Sequence, residues 1–193
     1  MDNNIVHQPY SVTLEDRIVK SGHEVKVFWM TGLSGSGKST LANAFQERLF
    51  NEGKQVFVLD GDNVRGGLNA DLDFTEVGRK ENIRRISEVA KLFNEAGFIV
   101  ITAFISPFKE DREQAKTIIG SERFCEVYVS ASLDLCESRD VKGLYKKARM
   151  GEIKNFTGIG SPFEVPMNPN YTLDTGKLSV EECIDLLNKE LSK

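Results

Sequence analysis

Eight consecutive residues carry the sharpest chemical signal in this 193-residue chain. Gly32-Leu33-Ser34-Gly35-Ser36-Gly37-Lys38-Ser39, with Thr40 following, meets every fixed position of the pattern G-x-x-x-x-G-K-[ST]. Glycines let successive backbone N–H groups turn toward one point, and the start of a helix adds a partial positive charge there. Lys38 is then placed to reach the β- and γ-phosphates of a nucleoside triphosphate, and the Ser39 hydroxyl to ligate Mg²⁺. A glycine-rich turn that merely starts a helix is the plainer alternative. The run lies after a strand-like segment and before a helix-like one, which favours the phosphate site.

A second cluster follows. Asp60-Gly61-Asp62-Asn63 closes an apolar run, where an α/β sheet places its ligands. A carboxylate there orients an attacking hydroxyl or holds Mg²⁺ through water, although Asp-Gly also makes an ordinary solvated turn. Arg65 comes soon after, and Arg79 and Asn82 are spaced to share one helical face. Arginines beside an acidic pair suit an anionic acceptor; taken singly, each is also a plain surface charge. Between Lys142 and Lys154, five cations (Lys142, Lys146, Lys147, Arg149, Lys154) stand against Glu152 alone, in a chain of formal net charge −4. Over a phosphate site such a segment neutralises charge spreading on a phosphoryl group in transfer; a solvated helix face is the alternative. Phe74 and Phe156 fall in polar loops, where they stack on a ring such as adenine or cap the core.

These groups need a scaffold, and the apolar pattern supplies one. Strands are predicted over 25–30, 55–59, 98–104, 124–129 and 171–174, separated by helices over 39–50, 79–95, 109–119 and 133–139, with a last helix after Ser179. Leu41, Phe45 and Leu49 form one buried stripe, and Ile83, Ile86, Val89, Ala90 and Phe93 another. Alternation of this kind implies right-handed crossovers and a central, mostly parallel five-stranded sheet with helices on both faces. Residues 142–170 hold three prolines and four glycines without a clean period, which suits a mobile lid over about 142–166. Residues 1–24 read as an arm packed on the 25–193 domain or on a second copy.

Composition narrows the class. Apolar residues at 40% and charged residues at 28% suit a globular chain with a sizeable core. The longest apolar stretch, 97–105, is about half of a bilayer span. The polar, acidic start Met1-Asp-Asn-Asn lacks the basic and apolar regions of a secretory signal, so a cytoplasmic location is expected. Cys125, Cys136 and Cys183 have no CxxC spacing, against a disulfide framework or zinc site. Two histidines, His7 and His23, poorly supply a triad, and the negative net charge argues against nucleic acid as partner.

Read together, these segments resemble the adenylylsulfate kinase family, a P-loop kinase fold, over about residues 22–187. The loop alone is generic. The specific segments are 59–63 (LDGDN), 81–85 (ENIRR), 104–107 (FISP), 136–140 (CESRD), 142–149 (KGLYKKAR) and 156–159 (FTGI). The resemblance implies an ATP-dependent phosphotransferase that moves the γ-phosphoryl group of MgATP to the 3′-hydroxyl of adenosine 5′-phosphosulfate, in sulfate assimilation. It further implies Asp62 near the acceptor hydroxyl and metal, supported by Asp60, and Arg65, Arg79 and Asn82 on the phosphosulfate. Phe74 and Phe156 would sandwich the acceptor's adenine, Ile105 and Ser106 would line its pocket, and Lys142 and Leu144 would contact it from the lid. Arg139 would lie beside the ATP base. Ser106 also matches the serine to which the family's phosphoserine intermediate is assigned; direct in-line transfer needs no covalent step, and shaping the pocket is the alternative role. A homodimer is expected on the same ground. Another small-molecule kinase of this fold, or a nucleotide-gated binding module, are the rival readings; the latter would be marked by loss of Asp62 or of the lid cations, and all are present.

Four positions depart from the family pattern as this resemblance frames it. Gly66 stands for a usual His, Gly78 for Asp, Asp73 for Gly and Val141 for Pro. Gly78 is expected to loosen the start of the helix carrying Arg79 and Asn82.

Overall fold

The computed structural model describes residues 6 and 8–192, so the start of the arm over residues 1–5, with the polar Met1-Asp-Asn-Asn, and also His7 and Lys193 lie outside the described residues. In chain order the elements are α1 (Leu14–Ser21), β1 (Val27–Thr31), α2 (Lys38–Asn51), β2 (Val56–Asp60), α3 (Gly61–Arg65), α4 (Glu76–Glu95) and β3 (Ile99–Ala103). They continue with α5 (Lys109–Ile119), β4 (Phe124–Ser130), α6 (Leu133–Arg139), α7 (Leu144–Arg149), β5 (Tyr171–Asp174) and α8 (Val180–Asn188), closed by a 3₁₀ turn over Lys189–Ser192.

The strands form one sheet in the order β2-β3-β1-β4-β5, and every pairing is parallel. Parallel sheets are covered on both faces, and the apolar sequence of β1 and β3 reflects this: all ten of their residues are buried. On one face α2 and α8 pack Leu41, Phe45, Leu49, Ile184 and Leu187 against Phe28, Met30, Ile99 and Ile101. On the other, Ile83, Ile86 and Ala90 of α4 and Ala115 and Ile119 of α5 cover Val27, Trp29 and Val100. Each such fully buried large side chain contributes about 1.5–3 kcal/mol.

After β1 the chain crosses to one side of the sheet, and after β3 to the other. The carboxyl ends of these neighbours therefore diverge, which opens a crevice for ligands. Thr31 Oγ donates to the carbonyl of Ile105 at 2.6 Å and ties the two departing segments together.

Helix α4 starts at Glu76, a turn earlier than the predicted Arg79, because Thr75 caps it: the Gly78 N–H donates to Thr75 Oγ at 3.1 Å. A threonine placed by its neighbours outweighs the helix-breaking tendency of Gly78. Before β1, α1 joins the domain where the Gln55 N–H donates to His23 Nε2 at 3.1 Å, while Tyr10, Val12 and Val19 stay exposed. Among the described residues no helix is long and apolar enough to cross a membrane.

Candidate active site

Residues 32–37 wrap the start of α2, and their backbone is held from outside. Gly32 has φ 153° and a Cβ there would lie 2.4 Å from the Val129 carbonyl oxygen; Gly35 has φ 74° and its Cβ would lie 2.9 Å from that of Cys136. Only glycine meets both demands. The turn is braced by Thr175, which follows β5: its Oγ donates to the Ser36 carbonyl at 2.8 Å. Arg139 in turn donates to Thr175 Oγ and to the Thr175 carbonyl, both at 2.9 Å. Tyr145 Oη donates to the Ser34 carbonyl at 2.8 Å. Sequence reading assigned no role to Thr175 or Tyr145. Their signals were weak: one follows a strand end on the ligand side, and the other is an aromatic within a lysine-rich run.

Lys38 is buried, and its ammonium donates to the Gly32 and Leu33 carbonyls at 2.9 and 2.8 Å. Burial pushes its pKa down to about 8, opposed by the nearby Cys136 and Asp60 and assisted by Lys142. A cation held at such a desolvated point is poised for an anion.

A cleft of about 540 Å³ opens over this loop, lined by Ser34, Gly35, Gly37, Lys38, Ser39, Thr40, Asp60, Asp62, Arg139, Lys142 and Leu144 among others. Lys38 and Asp62 thus share one space. Asp60 caps α3 by accepting from the Asp62 N–H at 3.0 Å, and its other oxygen accepts from Ser39 Oγ at 2.7 Å. A serine hydroxyl and a carboxylate this close are hard oxygen donors of the kind Mg²⁺ accepts beside phosphates and water. Across the cleft the Lys142 ammonium bonds the exposed Asp62 carboxylate.

Other expected residues lie outside this lining and form an adjoining wall. Arg65 stands over the Phe74 ring, 4.3 Å from its centroid, and donates to the Leu72 and Asp73 carbonyls at 3.2 Å. Arg79 donates to Phe74 O, Asn155 O and Thr157 Oγ. Phe156 meets Tyr145 edge-on, ring centroids 4.9 Å apart, so Tyr145 touches both the loop and this wall. Asn82 is buried and accepts from Asn69 Nδ2 at 2.9 Å.

Charge separates these arginines from their neighbours. Arg84 and Arg85 on the same helix are neutralised by Glu81, Glu88 and Asp71, and Arg84 and Arg85 hold the Glu81 carboxyl down at about 2. Arg79 has only carbonyls and a hydroxyl as hydrogen-bond partners among the described residues, whereas Arg65 also stands over Phe74 and feels the Asp73 carboxylate. Burial lowers the pKa of both, and Arg79 adds to the effect at Arg65. The Arg79 guanidinium, without an ion-pair partner among the described residues and beside Arg65, marks where an anion would bind.

Ser106 is 1% exposed with φ 42°. Its Oγ accepts from Trp29 Nε1 at 3.2 Å, and its carbonyl accepts from Arg112 at 2.8 Å.

A phosphate loop at the switch point of a parallel sheet, with carboxylates at the neighbouring strand end and cations above, defines a P-loop nucleotide-binding kinase. A family model described as adenylylsulphate kinase matches residues 24–174. The chain belongs to that family. It is 58% identical over 182 residues to an adenylyl-sulfate kinase of Bacillus velezensis, covering 94% of this chain and 92% of that one. To an adenylyl-sulfate kinase of Prochlorococcus marinus it is 55% identical over 183 residues, covering 95% and 91%. Its fold is also similar to the structure of the Mycobacterium tuberculosis APS kinase in complex with AMPPNP and APS, with TM-score 0.85, 44% identity and coverage of 89% and 99% of the two chains.

Proposed function

We propose that this chain transfers the γ-phosphoryl group of ATP to the 3′-hydroxyl of adenosine 5′-phosphosulfate (APS), releasing ADP and 3′-phosphoadenosine 5′-phosphosulfate. The observation that carries this reading is the single cleft shared by Lys38 and Asp62, adjoined by Arg65 and by an Arg79 that has no ion-pair partner among the described residues. Backbone N–H groups of residues 33–39 and the Lys38 ammonium bind the triphosphate. Arg139, which lines the cleft and braces the loop through Thr175, would lie beside the ATP base. Ser39 and Asp60 would hold Mg²⁺, with Asp62 reaching it through water; the ion, when bound, offsets charge on the phosphate oxygens.

On the acceptor side Arg65 and Arg79 take the phosphosulfate charge, Phe74 and Phe156 the adenine, and Asn82, Ile105 and Ser106 shape the pocket. Asp62 accepts a hydrogen bond from the attacking hydroxyl and aligns it in line with the leaving oxygen. This requires Lys142 to leave Asp62 and follow the transferring charge. The pair is exposed on both sides, so separating it costs little. Residues 142–166 act as the lid, which excludes water and with it hydrolysis. The phosphoryl group passes directly between substrates, because the Ser106 hydroxyl is enclosed and engaged by Trp29. A second copy of the chain is the expected partner.

The test is ADP release from MgATP with and without APS. Release that depends on APS is expected. Equal release in both, or release driven better by a sugar, removes this acceptor.

A further inference from the structure

Among the described residues four helices begin at a threonine or serine cap: α6 is capped by Ser132 alone, α1 and α8 share a second design, and α4 follows neither. At α1 the Thr13 N–H donates to the Asp16 carboxylate at 2.9 Å while Asp16 N–H donates back to Thr13 Oγ at 3.2 Å. At α8, Ser179 and Glu182 repeat this exchange at 2.8 and 3.2 Å. Both are capping boxes, in which an acidic residue three positions into the helix reaches back to the cap. At α4 the cap is Thr75, but the residue three positions on is Gly78, which has no side chain to return.

The missing carboxylate arrives from upstream. Asp73 Oδ1 accepts from the Thr75 N–H at 3.1 Å and from Thr75 Oγ at 2.6 Å. These two bonds from Thr75, side chain first and backbone second, hold the Asp73 carboxyl below its usual range. Position 78 leaves no room for a second acid: a Cβ there would stand 2.3 Å from Asp73 Oδ1 and 2.7 Å from the Asp73 carbonyl oxygen. The backbone and the carboxylate of Asp73 together require glycine at 78.

We infer that Asp73 is a displaced capping carboxylate that sets the start of α4 and, through it, positions the acceptor wall. This rests on the function proposed above. The same short segment carries every contact concerned: the Asp73 carbonyl accepts from Arg65, and the Phe74 carbonyl accepts from Arg79 Nε at 3.0 Å. Asp73 is a positioning residue for Phe74, Arg65 and Arg79 and touches no reacting atom. It replaces the loosening that Gly78 alone would bring.

The experiment combines steady-state kinetics on the full chain with amide hydrogen exchange of residues 73–80 in the absence of substrate. Asp73→Ala is expected to speed exchange at Thr75 and Gly78 and to raise the KM for APS about fivefold, the effect of losing one cap. The kcat and the KM for ATP should stay within about twofold. Asp73→Asn keeps the accepting oxygen and should match the parent in exchange at Thr75 and Gly78, while Arg65 loses the facing carboxylate. Gly78→Asp should be the most impaired, because a Cβ at 78 meets the Asp73 carbonyl oxygen as well as its carboxylate. Unchanged exchange in Asp73→Ala overturns the assignment of the carboxylate. Faster exchange with an unmoved KM for APS overturns its positioning role. Failure of the underlying functional reading would be visible separately, as a parent protein whose ADP release ignores APS.

Discussion

The two halves of the cleft are built on different principles. On the donor side, the loop over 32–37 is clamped by main-chain neighbours: Val129 and Cys136 leave no space beside Gly32 and Gly35, and Thr175, Arg139 and Tyr145 fasten its carbonyls. On the acceptor side, Phe74 is 66% exposed, and the wall depends on side chains of Arg65 and Arg79 bonded to loop carbonyls. A triphosphate presents the same charges in every reaction of this fold class, so its cradle can be rigid. An acceptor must be recognised and then enclosed, and loops joined by single side-chain bonds can be rearranged at little cost. The donor half specifies the chemistry, and the acceptor half the molecule on which it acts.

Breaking the donor half should cost most. Lys38→Ala is expected to lower kcat by about a thousandfold or more, through loss of charge stabilisation on the phosphates. Thermal unfolding should stay cooperative, since burial already disfavours the charged amine. Retained turnover in a coupled ADP assay would show that the loop serves another purpose. Asp62→Asn comes next: turnover should fall about a hundredfold or more while affinity for APS changes far less. If both decline in parallel, Asp62 is a binding group.

Breaking the acceptor half should act on one substrate only. Arg79→Ala is expected to raise the KM for APS roughly tenfold to a hundredfold, the range for one hydrogen bond to a charged group. Arg84→Ala, five residues along the same helix but already neutralised by Glu81, should leave that KM unchanged. Similar effects from the two substitutions would discard the charge argument that separates them.

The smallest effect is one of pH. Lys38 has its folded pKa lowered to about 8 from 10.5. Below about pH 8 it is charged in both folded and unfolded chains, and the folded state carries the cost of burying that charge. Between about 8 and 10.5 only the unfolded chain keeps the proton, so this group's contribution to stability rises with pH. A bound triphosphate favours the charged amine. Nucleotide binding above about pH 8 should therefore take up a proton, and affinity should weaken by up to about tenfold per pH unit there. Calorimetry at pH 8.5 in buffers of different ionisation enthalpy measures this uptake; a buffer-independent heat would mean that Lys38 stays protonated in the free enzyme.

Much of the molecule was legible from residue order. The strand and helix alternation predicted the parallel sheet, and the stripes Leu41-Phe45-Leu49 and Ile83-Ile86-Ala90 are buried as their spacing requires. The apolar stripe that predicts α4 does not reach its first turn, whose start at Glu76 is set by the Thr75 cap and its bonds to Asp73. Thr175 and Tyr145 were missed for a related reason. Each acts on a carbonyl more than a hundred residues away in the chain, and a backbone acceptor leaves no mark in a sequence.

The sequence by itself determined the phosphate loop, the order of elements and the kinds of residue available to an acceptor, because local spacing dictates backbone shape and burial periodicity. Tertiary structure alone decided that Arg79 is left without an ion-pair partner among the described residues while Arg84 and Arg85 are neutralised, and which lysine meets Asp62. It also decided that Asp73 and Gly78 occupy one volume. Electrostatic compensation and steric exclusion depend on distance through space, and only folding brings residues such as Arg79 and Asn155, or Lys142 and Asp62, together.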